Sequence, residues 1–112
     1  MTIQSADLKL ITEFRDFCAS KGNEPIQHRD GWGHANWNTC AVGQFAKFKD
    51  IPNIDGDRMA GMLKSAFNII QNTPYGFMID LGSGDSAEEQ YPTYDKVADA
   101  VTTIINKFQG VV

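Results

Sequence analysis

Both histidines, both tryptophans and one of the two cysteines of this chain lie in one stretch, residues 27–48, which reads QHRDGWGHANWNTCAVGQFAKF. Cysteine paired with histidine is used in thiol catalysis, and the same two residue types bind zinc. Tryptophan and arginine are enriched where proteins recognise one another. We therefore expect a functional site of the protein within this stretch.

Thiol catalysis is the first chemistry that the stretch allows. Cys40 would be the nucleophile and His34 or His28 its base, since the partners in such sites meet in space rather than in sequence. Three polar residues are available to orient the base: Asp30, Asn36 and Asn38. Against this hypothesis, the chain offers little room for a substrate cleft, and no catalytic family signature surrounds Cys40.

Zinc binding is the second chemistry, with His28, His34 and Cys40 as ligands and Asp30 or Cys18 as the fourth. Structural zinc sites favour close pairs such as C-x2-C or H-x3-H. Here five residues separate His28 from His34, and five separate His34 from Cys40. The spacing therefore predicts no metal, and nothing else in the sequence calls for a cofactor.

The third hypothesis is that the stretch recognises a partner protein. Arg29, Trp32 and Trp37 are residue types enriched at protein interfaces, and Gln44 shares the helix face of Cys40. The alternative is that both tryptophans close the helical core, because indoles bury a large area. In either case residues 23–38 are expected to form an ordered loop, with both indoles packed against the helices.

The spacing of apolar residues indicates the elements that position these side chains. A helical period of 3.6 predicts helices over residues 7–21, 39–48, 58–72 and 94–109. Cys18 falls on the apolar arc of the first helix and is expected in the core. Residues 75–81 are expected to form a short strand or one buried turn, and residues 86–90 a short acidic helix. The prediction is an all-α fold of about four amphipathic helices in a single domain, residues 1–112.

The second predicted helix places Cys40 in a distinctive position. Asn38 is expected to cap the helix, so that Cys40 lies in its first turn, near the positive end of the helix dipole. On a helical wheel Cys40 also falls opposite the apolar stripe that contains Phe45. Both features favour a thiolate, and Gly43 one turn later leaves room for a close approach.

The net charge of −4 is spread unevenly along the 112 residues. Residues 1–49 hold six Lys/Arg and five Asp/Glu, whereas residues 50–112 hold four and nine. Asp85, Glu88 and Glu89 lie in the acidic part, which is either a solvated surface or a face that docks on a basic partner. Such a surface is unsuited to direct contact with nucleic acid.

The sequence pattern also predicts where in the cell the protein is found. The N-terminal residues show no basic leader followed by an apolar run, and no segment approaches the ~20 apolar residues that span a bilayer. We expect a cytoplasmic protein without membrane contact, in which Cys18 and Cys40 stay reduced.

Two short runs carry a resemblance to a known group of proteins. NWNTCAVGQFAKF and the later YPTYDKVADAV resemble the N-x-CA-x-GQF and P-T-[YF] helix starts of small uncharacterised proteins encoded by bacteriophages and by bacterial genomes that carry them. The resemblance covers roughly a quarter of the chain and carries over no catalytic residue. It implies a small cytosolic factor that acts by binding and inhibits a host enzyme or defence complex.

The sequence therefore predicts, first, a small α-helical protein that binds a protein partner. The alternative is a thiol-dependent hydrolase or transferase that uses Cys40 with His34 or His28.

Overall fold

Six helices make up most of residues 5–71 and 76–108, the parts of the chain that the computed structural model describes. They are α1 (Ser5–Lys21), α2 (Ala41–Lys49), α3 (Gly56–Gln71), α4 (Gly76–Leu81), α5 (Gly84–Gln90) and α6 (Tyr94–Phe108). The predicted mainly helical class is confirmed: α1, α2, α3 and α6 are joined by two short helices, and one of these, α5, covers the short acidic helix predicted over residues 86–90. The predicted helix ends at Asn72 and Gln109 lie outside the described residues.

The helices pack around one hydrophobic core. α1 lies along α6 and α3, and α2 packs against α3. The side chains that are fully enclosed share an apolar character and include Ile11, Phe14, Phe45, Leu63, Phe67, Met78 and Val101. Cys18 belongs to this core with no exposed surface, as its place on the apolar arc predicts.

Residues 76–81 form a helix, so of the two alternatives predicted for residues 75–81 the buried turn is right and the short strand is wrong. In a strand alternate residues would share a face, which would place Ile79 beside Phe77 and Leu81. Instead Phe77, Met78 and Leu81 are buried, whereas Ile79 is 55% exposed. This is the spacing of one helical turn, and Phe77 anchors it by packing on Phe67, with ring centroids 5.1 Å apart.

The connection between α1 and α2 runs along the segment that joins α5 to α6. Backbone hydrogen bonds join Ile26 N–H to Pro92 O (3.0 Å) and Tyr94 N–H to Glu24 O (3.1 Å). The connection is therefore a hydrogen-bonded loop, as the sequence predicts, and it is tied to a part of the chain distant in sequence.

α1, the longest of these elements, has 17 residues. Across residues 5–71 and 76–108, none of the helices combines the length and the apolar character needed to cross a bilayer.

Candidate functional site

Residues 28–36 form a closed turn that we term the 28–36 loop. Its two ends are joined by a hydrogen bond from Asn36 N–H to His28 O (3.2 Å). Inside it, Asp30 N–H donates to His34 O (2.8 Å), and Gly33 N–H donates to Asp30 O (3.1 Å). Gly33 adopts a φ of +82°, a conformation that glycine reaches without steric cost.

The carboxylate of Asp30 organises the tip of this loop. It accepts hydrogen bonds from the backbone N–H of Trp32 (2.8 Å) and of His34 (3.0 Å), and from the side-chain amide of Asn36 (3.3 Å). The N–H groups of His34 and then Trp32 stabilise the charged form and lower the pKa of Asp30. Asp30 is thus a structural residue of the turn rather than a group that orients a catalytic base.

Arg29 fastens the loop to α5. Its guanidinium donates to Glu88 (3.1 Å), to Asp85, and back to the carbonyl of Gly33 (2.9 Å). The approach to α5 is close: a Cβ added at Gly84 would lie 2.9 Å from Nη2 of Arg29. One side chain therefore connects the loop tip, the loop base and the start of a helix.

Trp32 projects from the tip of this turn. Its side chain is 87% exposed, so the prediction that both indoles pack against the helices is wrong for Trp32. The reason is that the hydrogen bonds of Asp30 and Arg29 hold the turn in place, and the loop gains its order without burying the ring. His34, two residues after Trp32, is also exposed.

Trp37 behaves differently and closes part of the core, as predicted. Its ring is half-buried and packs against the core cluster. It lies so close to Gly82 that a Cβ added there would be 2.5 Å from its Cζ2. The ammonium of Lys64 lies 5.4 Å from the ring centroid, within cation–π range.

The start of α2 differs from the prediction. Cys40, rather than Asn38, occupies the N-cap, and the helix begins at Ala41. The side-chain oxygen of Asn38 instead accepts a hydrogen bond from the backbone N–H of Gly56 (2.7 Å), which ties this segment to the first turn of α3. The space beside Gly43 is filled by the chain itself, because a Cβ there would overlap the backbone of Asn38.

Cys40 is buried, so the expected orientation away from the apolar stripe is also wrong. Only 3% of its surface is exposed, and its Sγ lies 3.7 Å from the carbonyl of Trp37. Burial raises the pKa of the Cys40 thiol. The backbone N–H groups of Gly43 and Val42 at the start of α2 lower the same pKa, but burial has the larger effect. The expected thiolate is therefore not favoured at neutral pH.

A cavity of about 30 Å³ brings two of the proposed catalytic residues together. It is lined by His28, Ala35, Asn36, Trp37, Cys40, Leu81 and Gly82. His28 is buried, and its Nε2 lies 2.6 Å from the carbonyl oxygen of Tyr91. His34, exposed at the loop tip, does not line this cavity. Pockets for small-molecule ligands usually measure about 300–1,000 Å³, so the space beside Cys40 is too small for a substrate.

A metal site is not assembled in the part of the chain that the structure describes. Within residues 5–71 and 76–108, no three histidine, cysteine or acidic side chains are grouped so that they could hold an ion.

The predicted binding residues fall into two groups. Arg29 pairs with Asp85 and Glu88 where the 28–36 loop meets α5, and the exposed Glu89 is next in sequence. Trp32 projects from the tip of the same loop. Trp37 instead covers the core, and Gln44 is half-buried in the first turn of α2.

Sequence reasoning missed two structural roles. Asp30 shapes the turn, and the D-G-x-G pattern of residues 30–33 is a local signal that could have indicated it. Arg29 clamps the loop to α5, and no local pattern predicts that contact, because its partners lie 56 and 59 positions away.

No family model matches this chain, and the searches of curated proteins and of solved structures gave no match either.

Proposed function

We propose that the protein is a small binding protein that contacts a partner protein through the 28–36 loop, with Trp32 as the central anchor. The observation that carries the proposal is an indole 87% exposed at the tip of a turn whose backbone is fixed by internal hydrogen bonds.

The energetics of an exposed indole support this function. A tryptophan side chain buries about 150–250 Å² when it is covered, which at about 25 cal/mol per Å² corresponds to roughly 4–6 kcal/mol. Because the folded protein leaves the Trp32 ring exposed, most of this free energy is not gained on folding. Binding to a partner with an apolar pocket would recover part of it, and tryptophan is among the residues most enriched at interface hot spots.

The order of the loop adds to the argument. A flexible loop loses conformational entropy when it binds, whereas the 28–36 loop is already held by Asp30 and Arg29. A preorganised loop that presents an aromatic side chain is a common arrangement in binding proteins.

Charge defines the surroundings of the anchor. α5 carries three carboxylates, Asp85, Glu88 and Glu89, and Arg29 pairs with the first two, so these four side chains together carry an excess of negative charge beside the loop. We infer a partner with an apolar pocket and basic residues around it, which such a surface would attract electrostatically.

The resemblance of NWNTCAVGQFAKF and YPTYDKVADAV to phage-encoded proteins supports a more specific form of the proposal. The protein would act in the cytoplasm as an inhibitor of a host enzyme or defence complex. A basic surface that normally holds nucleic acid fits the charge of α5, and the inhibitor itself would not bind nucleic acid.

The alternative of a thiol-dependent hydrolase or transferase finds less support. Cys40 is buried, burial raises the pKa of its thiol, and the cavity that it shares with His28 is far smaller than a substrate.

The proposal is tested by affinity capture from the source cell, with wild-type protein and two variants. Trp32→Ala removes the anchor, and Ile79→Ala removes an exposed apolar side chain of α4, outside the loop. We expect a specific partner to be retained by the wild type and by Ile79→Ala and lost by Trp32→Ala. Equal retention by Trp32→Ala would contradict the proposed role of the loop.

A further inference from the structure

His28 is a buried histidine at the base of the 28–36 loop, with 4% of its surface exposed. Its Nε2 lies 2.6 Å from the carbonyl oxygen of Tyr91. Because a carbonyl oxygen only accepts, Nε2 carries the proton and donates it. In the neutral ring Nδ1 is then an acceptor, and among residues 5–71 and 76–108 no protein group forms a hydrogen bond with it.

The same imidazole lines the cavity of about 30 Å³ described above. A water molecule needs about 10–15 Å³ of such space and two to four polar partners. The lining residues include Cys40 and Asn36, which have polar side chains, together with Ala35 and Gly82. Buried acceptors in folded proteins nearly always have a donor, and the cavity that His28 lines has room for a water molecule that would supply one.

We propose that this cavity is a hydration site, in which an ordered water molecule donates a hydrogen bond to Nδ1 of His28. Water is favoured over a metal ion because the cavity offers one imidazole and one protonated thiol, fewer ligands than a protein zinc site uses. It is favoured over an organic ligand because the cavity is far smaller than a small-molecule pocket.

The site has a structural consequence for the loop. The backbone carbonyl of His28 accepts from Asn36 N–H and closes the 28–36 loop, while its ring bonds to Tyr91 at the junction of α5 and α6. A water on Nδ1 keeps the proton on Nε2 and so maintains the bond to Tyr91. The water thereby helps to hold the loop against the rest of the protein. This role does not depend on whether the loop binds a partner.

A high-resolution crystal structure of the wild-type protein tests the proposal directly. We expect a solvent peak at hydrogen-bond distance, about 2.7–3.2 Å, from Nδ1. The proposal is overturned by a protein donor at that position, by a peak with the ligand distances of a metal, or by the lack of any solvent peak within hydrogen-bond reach.

NMR on the same protein provides a second measurement. The ¹⁵N shifts of His28 are expected to show a protonated Nε2 and an unprotonated, hydrogen-bonded Nδ1, and a long-lived water should give cross-peaks with the loop amides near Ala35. His28→Leu, which lacks the ring acceptor, should lose those cross-peaks. Glu89→Gln, an exposed substitution on α5 that does not line the cavity, is the control and should keep them, and cross-peaks of equal strength in both variants would contradict the role of Nδ1.

Discussion

The guanidinium Nε of Arg29 lies 3.1 Å from the carboxylate of Glu88, a residue 59 positions further along the chain. Arg29 therefore has a structural role, because it connects the 28–36 loop to α5. The pairing also changes the interpretation of the acidic region: Asp85 and Glu88 form ion pairs with Arg29, and all three carboxylates, including that of Glu89, are exposed.

Glu88→Gln should loosen the 28–36 loop without unfolding the domain. Both side chains of the pair are partly exposed to solvent, so we expect the free energy of unfolding to change by less than about 1 kcal/mol. The loss of one charged partner of Arg29 should nevertheless speed hydrogen exchange of the loop amides at Gly33 and His34. Glu89→Gln is the matched control, and equal exchange rates in the two variants would show that Glu88 does not hold the loop.

Association with a basic partner should depend on salt. Because exposed charges are screened over about 8 Å at physiological ionic strength, raising the salt concentration should slow association. Glu89→Gln should slow association at low salt and leave the dissociation rate nearly unchanged, as expected for a charge at the rim of an interface. Rates measured by surface plasmon resonance that do not respond to either change would indicate that α5 is only a solvated surface.

The two tryptophans should differ in what they contribute to stability. Trp37→Ala removes a ring packed on the core and on Gly82, so we expect a loss of about 3 kcal/mol in the free energy of unfolding. Trp32→Ala should change it by less than about 0.5 kcal/mol, because the ring is exposed. Denaturant titration measures both values, and comparable losses in the two variants would contradict the structure.

Two glycines provide a further matched comparison. Gly82→Ala would place a Cβ 2.5 Å from Cζ2 of Trp37, so it should destabilise the protein by about 1–3 kcal/mol. Gly61 lies within α3 with open space around it, and Gly61→Ala should stabilise the protein by about 0.5–1 kcal/mol. Thermal unfolding of both variants checks the opposite signs.

Stability should fall at alkaline pH. Burial raises the pKa of both thiols above the ordinary value of 9.0, and raises the pKa of Tyr94 from 10.0 to about 12. Above pH 9 the unfolded chain releases these protons while the folded chain keeps them, so the free energy of unfolding decreases as pH rises. Below pH 9 this contribution is fully present.

Urea unfolding between pH 7 and 10.5 measures the effect. Cys40→Ala should flatten the alkaline decline, and native Cys40 should resist iodoacetamide at pH 7. Rapid alkylation of Cys40 in the folded protein would instead restore the hypothesis of a reactive thiol.

The long helices were readable from the sequence because a 3.6-residue period over several turns has few alternatives. α1 and α6 begin within two residues of the predicted positions, and Cys18 lies in the core as its arc indicates. α4 was ambiguous because a single apolar turn fits a strand equally well.

The site was less predictable because long-range contacts decide it. Asn38 has the residue type of a cap, but its side chain bonds to Gly56, and Cys40 takes the cap position instead. Trp32 has the residue type of a core side chain, but it projects from a turn that Arg29 fastens to α5 through partners distant in sequence.

Gly43 lies against the backbone of Trp37 and Asn38, and Gly56 lies against the backbone of Trp37, so at both positions an added Cβ would overlap main-chain atoms. Unlike a buried leucine, which methionine or isoleucine can replace, neither position admits any other residue without a shift of the main chain. Sequences that diverge elsewhere but keep this fold are therefore expected to retain glycine at both positions. The pair, with the small Ala41 two positions before Gly43, defines a search pattern for distant relatives that overall identity would not detect.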